Sequence, residues 1–224
     1  MLNMSKLNGS NDVKFFSYLL IAIPFALTTG PFLPDLILTL IGLYFLIISI
    51  KKKLFEYYKN NFVLIFFLFY TYLFLRGIFS DYPYESLIAY NGPIFYFRYL
   101  FFILGFKFLL DCNENLIKYL AYSLIFVILF TSFDGYFQWI TGFNFFGFTP
   151  PSIRITGVFN SEEILGHFLA HITPLLIAVL TYLYGVNKKQ IFIYIIILMF
   201  VEIMIFISND RAAFLKIFQF TLIL

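Results

Sequence analysis

Arg154 and Arg211 are the residues of this 224-residue chain whose type and setting best suit them to chemistry. Each sits in a polar island between long apolar runs. One island is the stretch 134–166, too polar and too broken by Gly and Pro to lie in hydrocarbon. The other is Ser208-Asn209-Asp210-Arg211. Arginine carries a planar fork of donors that stays charged and grips phosphate or carboxylate at two points. The remaining arginines, Arg76 and Arg98, fall at or near the ends of apolar runs on the same side of the chain's alternation, and Lys216 follows Arg211 by five residues. Arginines near a hydrocarbon boundary are costly unless paired or hydrated, so these five cations form a candidate anion site. The plainer alternative pairs Arg76 with Asp81 or Glu85 and Arg211 with Asp210, and lets Arg98 snorkel to the interface.

The other candidates surround these cations. Asp134 and Gln138, four apart, sit where an apolar run ends and could face the same pocket. Gly157 permits a turn that a side chain would block. Asn160 or Ser161 is placed to cap the helix that follows, with Glu162 and Glu163 in its first turn, where acids suit the dipole. The functional alternative makes one glutamate, Glu162 foremost, a general base beside a substrate hydroxyl. His167 and His171 have the spacing of a two-point metal site, but no third ligand of suitable spacing is evident, so no metal is assigned. Glu202, mid-span, is the most deeply placed acid by position and needs a partner or a proton. Trp139 belongs to an interfacial belt.

The elements that must position these groups are membrane spans. The chain is 62% hydrophobic and 12% charged, with a mean hydropathy of +0.90, far outside the range of soluble domains. Apolar runs of about 17–20 residues recur, each long enough to cross hydrocarbon. They do not alternate as barrel strands do. The fold class is therefore an all-α polytopic membrane bundle, read as a single transmembrane domain over residues 1–224. Seven spans are expected, at about 15–29, 32–50, 62–79, 94–110, 116–133, 164–184 and 191–207. An eighth begins at Ala212 and stops at Leu224, short of a crossing, which suggests a C-terminally truncated chain. A loop of moderate length is expected over 80–93 and a long one over about 134–163. The single cysteine, Cys112, can form no intrachain disulfide. No basic patch suited to nucleic acid is present; Lys51, Lys52 and Lys53 end a span.

Charge placement orients the bundle. With the N-terminus in the cytoplasm, Lys6, Lys14, Lys51, Lys52, Lys53, Lys59, Lys107, Lys118, Lys188 and Lys189 all fall inside, as the positive-inside rule requires. All four arginines then fall on the outer face or in the outer half of a span, and Lys216 is the one outer lysine. A general basic bias would not sort Arg from Lys in this way.

Two stretches resemble the O-antigen ligase and polymerase family. The first runs Asp134-Gly-Tyr-Phe-Gln138, Thr141-Gly-Phe-Asn-Phe-Phe-Gly147 and Arg154-Ile-Thr-Gly157-Val-Phe159, with Gly166 beyond. The second is Ser208-Asn-Asp-Arg211-Ala-Ala-Phe214, similar to the family's S-G-x-R-[TS]-A-F pattern with Asn209 in place of the usual Gly. The likeness covers about residues 116–218. It implies a multi-pass glycosyltransferase of the bacterial inner membrane, metal-independent and cofactor-free. Such an enzyme takes a glycan from an undecaprenyl-pyrophosphate carrier on the periplasmic side. A ligase passes it to an acceptor sugar of lipid A-core; a polymerase passes it to another carrier-linked glycan. By the resemblance, Arg211 and Arg154 match periplasmic arginines that engage the pyrophosphate. The family's large periplasmic loop, with its essential histidine, lies beyond Leu224, so the chain is expected to be the N-terminal half. His167 and His171 do not match that histidine. The competing expectation is a transporter or flippase for a lipid-linked or anionic solute, which would use the same arginines as a binding site. A third is a membrane subunit whose arginines contact anionic head groups.

Overall fold

The computed structural model describes residues 10–88 and 92–223, and the side chains of all of these except 223. Among the described residues every regular element is helical. The α-helices are α1 (Asn11–Ala26), α2 (Phe32–Lys51), α3 (Asn61–Ile78), α4 (Pro83–Ile88), α5 (Phe97–Cys112), α6 (Leu116–Thr141), α7 (Leu165–Tyr184), α8 (Lys188–Ile207) and α9 (Arg211–Ile223). Short 3-10 turns cover Phe55–Tyr58, Pro93–Tyr96 and Gly157–Phe159. Six stretches are long and apolar enough to cross a membrane: α2, α3, Pro83–Cys112, α6, α7 and α8. Many of their large apolar side chains face outward, among them Leu64, Ile65 and Leu68 on α3 and Phe192, Ile196 and Met199 on α8. A soluble protein would bury such a surface, whereas hydrocarbon solvates it.

The element boundaries depart from expectation in four places. The first expected span is a 16-residue helix, about 24 Å long at 1.5 Å per residue, and it is not among the six. The stretch expected as a loop over 80–93 holds α4, which begins at Pro83, a residue pre-set for a first helical position; residues 89–91 and Lys6 lie outside the described residues. α6 continues to Thr141, so the long loop starts at 142 rather than 134. α7 begins at Leu165 with no side-chain cap, and Asn160 adopts φ +54°, so neither Asn160 nor Ser161 caps it and Glu162 and Glu163 precede its first turn.

The chain divides into two compact units: Met1–Ile23 with Pro31–Leu116, and Pro24–Gly30 with Ile117–Leu224. In the first, α2 and α5 make the principal contact. Small residues allow it: a β-carbon on Gly105 would lie 3.1 Å from Ile41 and Phe45, and one on Gly42 would lie 3.3 Å from Phe101. Around this crossing Ile41, Phe45, Leu100, Leu104 and Phe108 are buried. Tyr57 packs on Phe45 and Phe108 and donates to Asp111 Oδ2 at 2.7 Å. Burial and that hydrogen bond raise its phenol above the ordinary value.

In the second unit α7 is the most enclosed helix and contacts both α8 and α9. Leu165, Leu169, Leu176, Leu198, Val201, Met204, Ala213 and Ile217 form its core with Leu124 and Ile128 of α6. Gly135 lets α6 approach closely, since a β-carbon there would meet Leu165 and Met204 at 2.9 Å. Tyr136 of α6 donates to the Phe200 carbonyl of α8 at 2.8 Å. Glu202 is half-buried and accepts from Thr221, so the deepest carboxylate is not Glu202 but Asp134, which is fully enclosed.

Candidate functional site

The top of α6 anchors the loop that carries Arg154. Asp134, Gln138, Asn144 and Thr156 are buried, at 0%, 1%, 0% and 0% exposure. Gln138 Oε1 accepts the backbone N–H groups of Thr156 at 2.9 Å and Gly157 at 2.7 Å. Its Nε2 donates to the Phe148 carbonyl at 3.3 Å. Asp134 Oδ1 accepts the Phe145 N–H at 2.7 Å, while its Oδ2 is enclosed without a hydrogen-bond partner. Asn144 staples the loop from within, accepting from Phe146 and Phe148 N–H and donating to the Gly157 carbonyl at 2.8 Å. Gly157 holds φ +54°, and a β-carbon there would lie 3.3 Å from Asp134 Oδ2, so both conformation and space favour glycine. These bonds satisfy backbone groups that a buried loop cannot leave bare.

Asp134 and Gln138 share one face of α6, and that face is covered by the loop. Both are enclosed beneath the loop that carries Arg154, and neither lines the groove where the two islands meet.

Arg154 itself is half-buried and pairs with Glu163 Oε2 at 3.3 Å. Ser152 also donates to Glu163, and the Arg154 N–H donates back to Ser152 Oγ at 3.1 Å. Glu163 is thus taken up in holding the loop. Glu162 is exposed, with no side-chain partner among the described residues.

The second island is a tight turn between α8 and α9. Asn209 adopts φ +60°, a left-handed conformation that Asn tolerates better than other non-glycine residues. Asp210 caps α9, its Oδ1 accepting the Ala213 N–H at 3.1 Å. Its Oδ2 accepts from His167 Nδ1 on α7, so the partner of Asp210 is His167 and not the neighbouring Arg211. Close approach of α7 makes the pair possible: a β-carbon on Gly166 would fall 2.7 Å from Asp210 Cβ. Burial works against ionisation of Asp210. The hydrogen bonds from His167 and Ala213, with the charges of His167 and Arg154, outweigh it and hold the carboxyl below the ordinary carboxylate range.

The two islands meet at one groove of about 680 Å³, a size suited to a small ligand. Trp139, Ile153, Ile155, Phe206, Phe214 and Leu215 give it apolar walls, and Asn209, Asp210 and Arg211 a polar end. Arg211 is exposed on the first turn of α9, and among the described residues no carboxylate lies within ion-pair distance of it. A cation there opposes the helix dipole, so helix stability does not explain it. Arg154 lies between two groove residues in the chain, and its charge reaches Asp210. Lys216, one turn further along α9, is exposed and not part of the groove wall.

The remaining arginines belong to the first unit. Arg98 on α5 pairs with Asp35 on α2 at 3.1 Å, in place of snorkelling. Arg76, at the end of α3, is exposed beside a cleft of about 600 Å³ formed with Ser80, Ser86, Pro93 and Tyr96, and pairs with neither Asp81 nor Glu85. His171 Nδ1 bonds to the His167 carbonyl at 2.7 Å, and no group of three or more metal-ligating side chains occurs among the described residues. The role of Asp210 is the feature that the residue pattern alone missed. An Asp three residues before Ala213, ahead of an apolar run, is a capping signal that could have located it. Comparisons with protein-family models, curated proteins and solved structures return no match.

Proposed function

We propose that this chain is a glycosyltransferase of the O-antigen ligase/polymerase type. It works at the outer face of a bacterial inner membrane on an undecaprenyl-pyrophosphate-linked glycan. The observation that carries the reading is the groove: an unpaired guanidinium at the polar end of an apolar trough. That combination matches an amphiphile with an anionic head and a hydrocarbon tail. The reading takes α1 as a crossing beside the six long apolar helices, with the N-terminus inside, so that both islands fall on the outer side. The placement of lysines against arginines supports it.

In the proposed reaction the acceptor hydroxyl oxygen bonds to the anomeric carbon while that carbon's bond to the pyrophosphate oxygen breaks. Negative charge builds on the departing pyrophosphate. A guanidinium already fixed at that point stabilises the charge without reorganisation and without a metal. Arg211 takes this role, with Arg154 behind it on the anchored loop. Glu162, free where Glu163 is engaged, is the carboxylate available to accept the hydroxyl proton. The motif positions also suit the likeness: Gly157 and Gly166 stand where a β-carbon would crowd Asp134 and Asp210, and Asn209 keeps the left-handed turn that the family's glycine would make.

The test is glycan transfer by the protein in lipid nanodiscs with a carrier-linked glycan donor and either a lipid A-core or a second carrier-linked glycan as acceptor. Arg211→Ala should lower transfer by about a hundredfold or more, the scale of one lost transition-state donor, with insertion unchanged; Arg154→Ala should also lower it. Wild-type transfer by both variants would sink the proposal. Protein-dependent movement of the intact donor across the bilayer, with no transfer, would point to the flippase instead.

A further inference from the structure

The loop that follows α6 turns an aromatic rim outward and keeps its polar groups to itself. From Gly135 to Ile153 the chain carries no charged side chain. Ile140, Phe143, Phe145, Phe146, Phe148 and Ile153 are exposed, Phe146 at 64%. The polar side chains beside these rings, Asp134, Gln138 and Asn144, are buried.

Every backbone N–H from Gly142 to Phe148 meets an acceptor within this end of the chain. Gly142 donates to the Gln138 carbonyl at 2.8 Å. Asn144 donates to the Phe148 carbonyl and Gly147 to the Asn144 carbonyl, both at 2.9 Å. Phe143 donates to Thr141 Oγ1 at 3.4 Å and Phe145 to Asp134 Oδ1 at 2.7 Å. Phe146 and Phe148 donate to Asn144 Oδ1 at 3.0 and 2.9 Å. Pro150 and Pro151 have no N–H to satisfy. A loop in water has no need of such closure, because water pairs with bare amides. A loop against hydrocarbon does need it.

The same segment runs back along α6. The Phe145 ring lies 4.8 Å from that of Phe137 and 6.3 Å from that of Phe130, centroid to centroid. From Phe130 to Thr141 the helix rises about 16 Å. The whole of α6, 26 residues, is about 39 Å long against about 30 Å of hydrocarbon. Even with the entire excess of about 9 Å projecting at the Thr141 end, Phe130 lies below the hydrocarbon boundary. The loop therefore returns to a depth that α6 spends in lipid.

We propose that residues 142–148 form a re-entrant anchor whose partner is lipid. The segment sits in the leaflet where α6 ends, with its phenyl rings among the acyl chains. A protein partner pairs with polar atoms across an interface, and this loop has no backbone donor left to offer one. The proposal requires only that α6 crosses a membrane, and it stands apart from the glycosyltransferase reading. Trp139 and Ile153, on either side of the segment, also wall the groove, so anchor and groove meet the same leaflet.

Trp139 is the chain's single tryptophan, so the loop can be given a probe of its own. Phe146→Trp and, separately, Phe148→Trp are made in a Trp139→Phe background. Emission from the full chain is followed in nanodiscs of phosphatidylcholine and of phosphatidylcholine brominated on its acyl chains, with iodide as the quencher in water. The expected result is blue-shifted emission that is mostly lost in the brominated nanodiscs and unchanged by iodide. Emission lost to iodide and indifferent to brominated lipid puts the loop in water and overturns the proposal. Protection from both quenchers means that protein, a second copy of this chain or another, covers the loop, and overturns it as well. If one variant does not fold, the other carries the same contrast.

Discussion

Gln138→Leu separates a loop anchor from a substrate contact. The side chain is 1% exposed, and leucine nearly preserves its volume, so the effect is polar rather than steric. Gln138 Oε1 is the acceptor for two backbone N–H groups, Thr156 at 2.9 Å and Gly157 at 2.7 Å. Leucine leaves both donors without that acceptor. A buried donor stripped of its partner costs about 1–3 kcal/mol, so two cost about 2–6 kcal/mol, toward the lower end where water can enter. We expect a loss of about 2–3 kcal/mol. The assay is equilibrium denaturant unfolding in detergent micelles, with amide hydrogen exchange read over the Arg154-bearing loop. The Thr156 and Gly157 amides should exchange faster, and diphosphate binding should weaken because Arg154 loses its anchor. A variant with wild-type stability, unchanged exchange and impaired binding would refute the reasoning, because that is how a direct substrate contact behaves.

Two further outcomes follow from the second island. Gly166→Ala places a β-carbon 2.7 Å from Asp210 Cβ and 2.9 Å from Ser208 Oγ. The overpacking should cost about 1–3 kcal/mol and push the α8–α9 turn away from α7, visible as lower thermal stability and as loss of the His167–Asp210 hydrogen bond in imidazole nitrogen NMR. Acid unfolding should report Asp210, whose carboxyl is held below its ordinary value. Its stabilising contribution is complete above the unfolded carboxylate value of about 4 and is lost as pH falls through the lower folded value. Asp210→Asn should therefore be less stable than wild type at neutral pH and show a flatter acid limb, and parallel acid limbs in the two proteins would count against the assignment.

Much of the architecture was legible in the residue order because it depends on local regularities. Apolar runs of crossing length and lysine-marked ends locate helices near 32–51, 61–78, 165–184 and 188–207 to within a few residues. The end of α6 was not legible. Asp134, Gly135 and Gln138 read as loop residues because polar groups do not belong at the end of an apolar helix. They are helical because the folded-back loop supplies their hydrogen bonds. The capping of α7 failed for a related reason: Glu163 is drawn to Arg154 and Ser152, outside any helix.

Hydropathy, length and charge order are properties of neighbours along the chain, and they suffice for the helical class and for the six helices able to span a membrane; they also read 15–29 as a crossing, where the structure has a 16-residue helix. Choice of partner is a property of neighbours in space. Asp210 stands next to Arg211 in the chain yet bonds His167, 43 positions away, because the glycine at 166 brings α7 against the turn. That approach leaves Arg211 unpaired at the mouth of an apolar groove. The folded-back loop likewise takes up Asp134 and Gln138, which bond the backbone of Phe145, Thr156 and Gly157, since a buried polar group goes wherever its hydrogen bonds can be met.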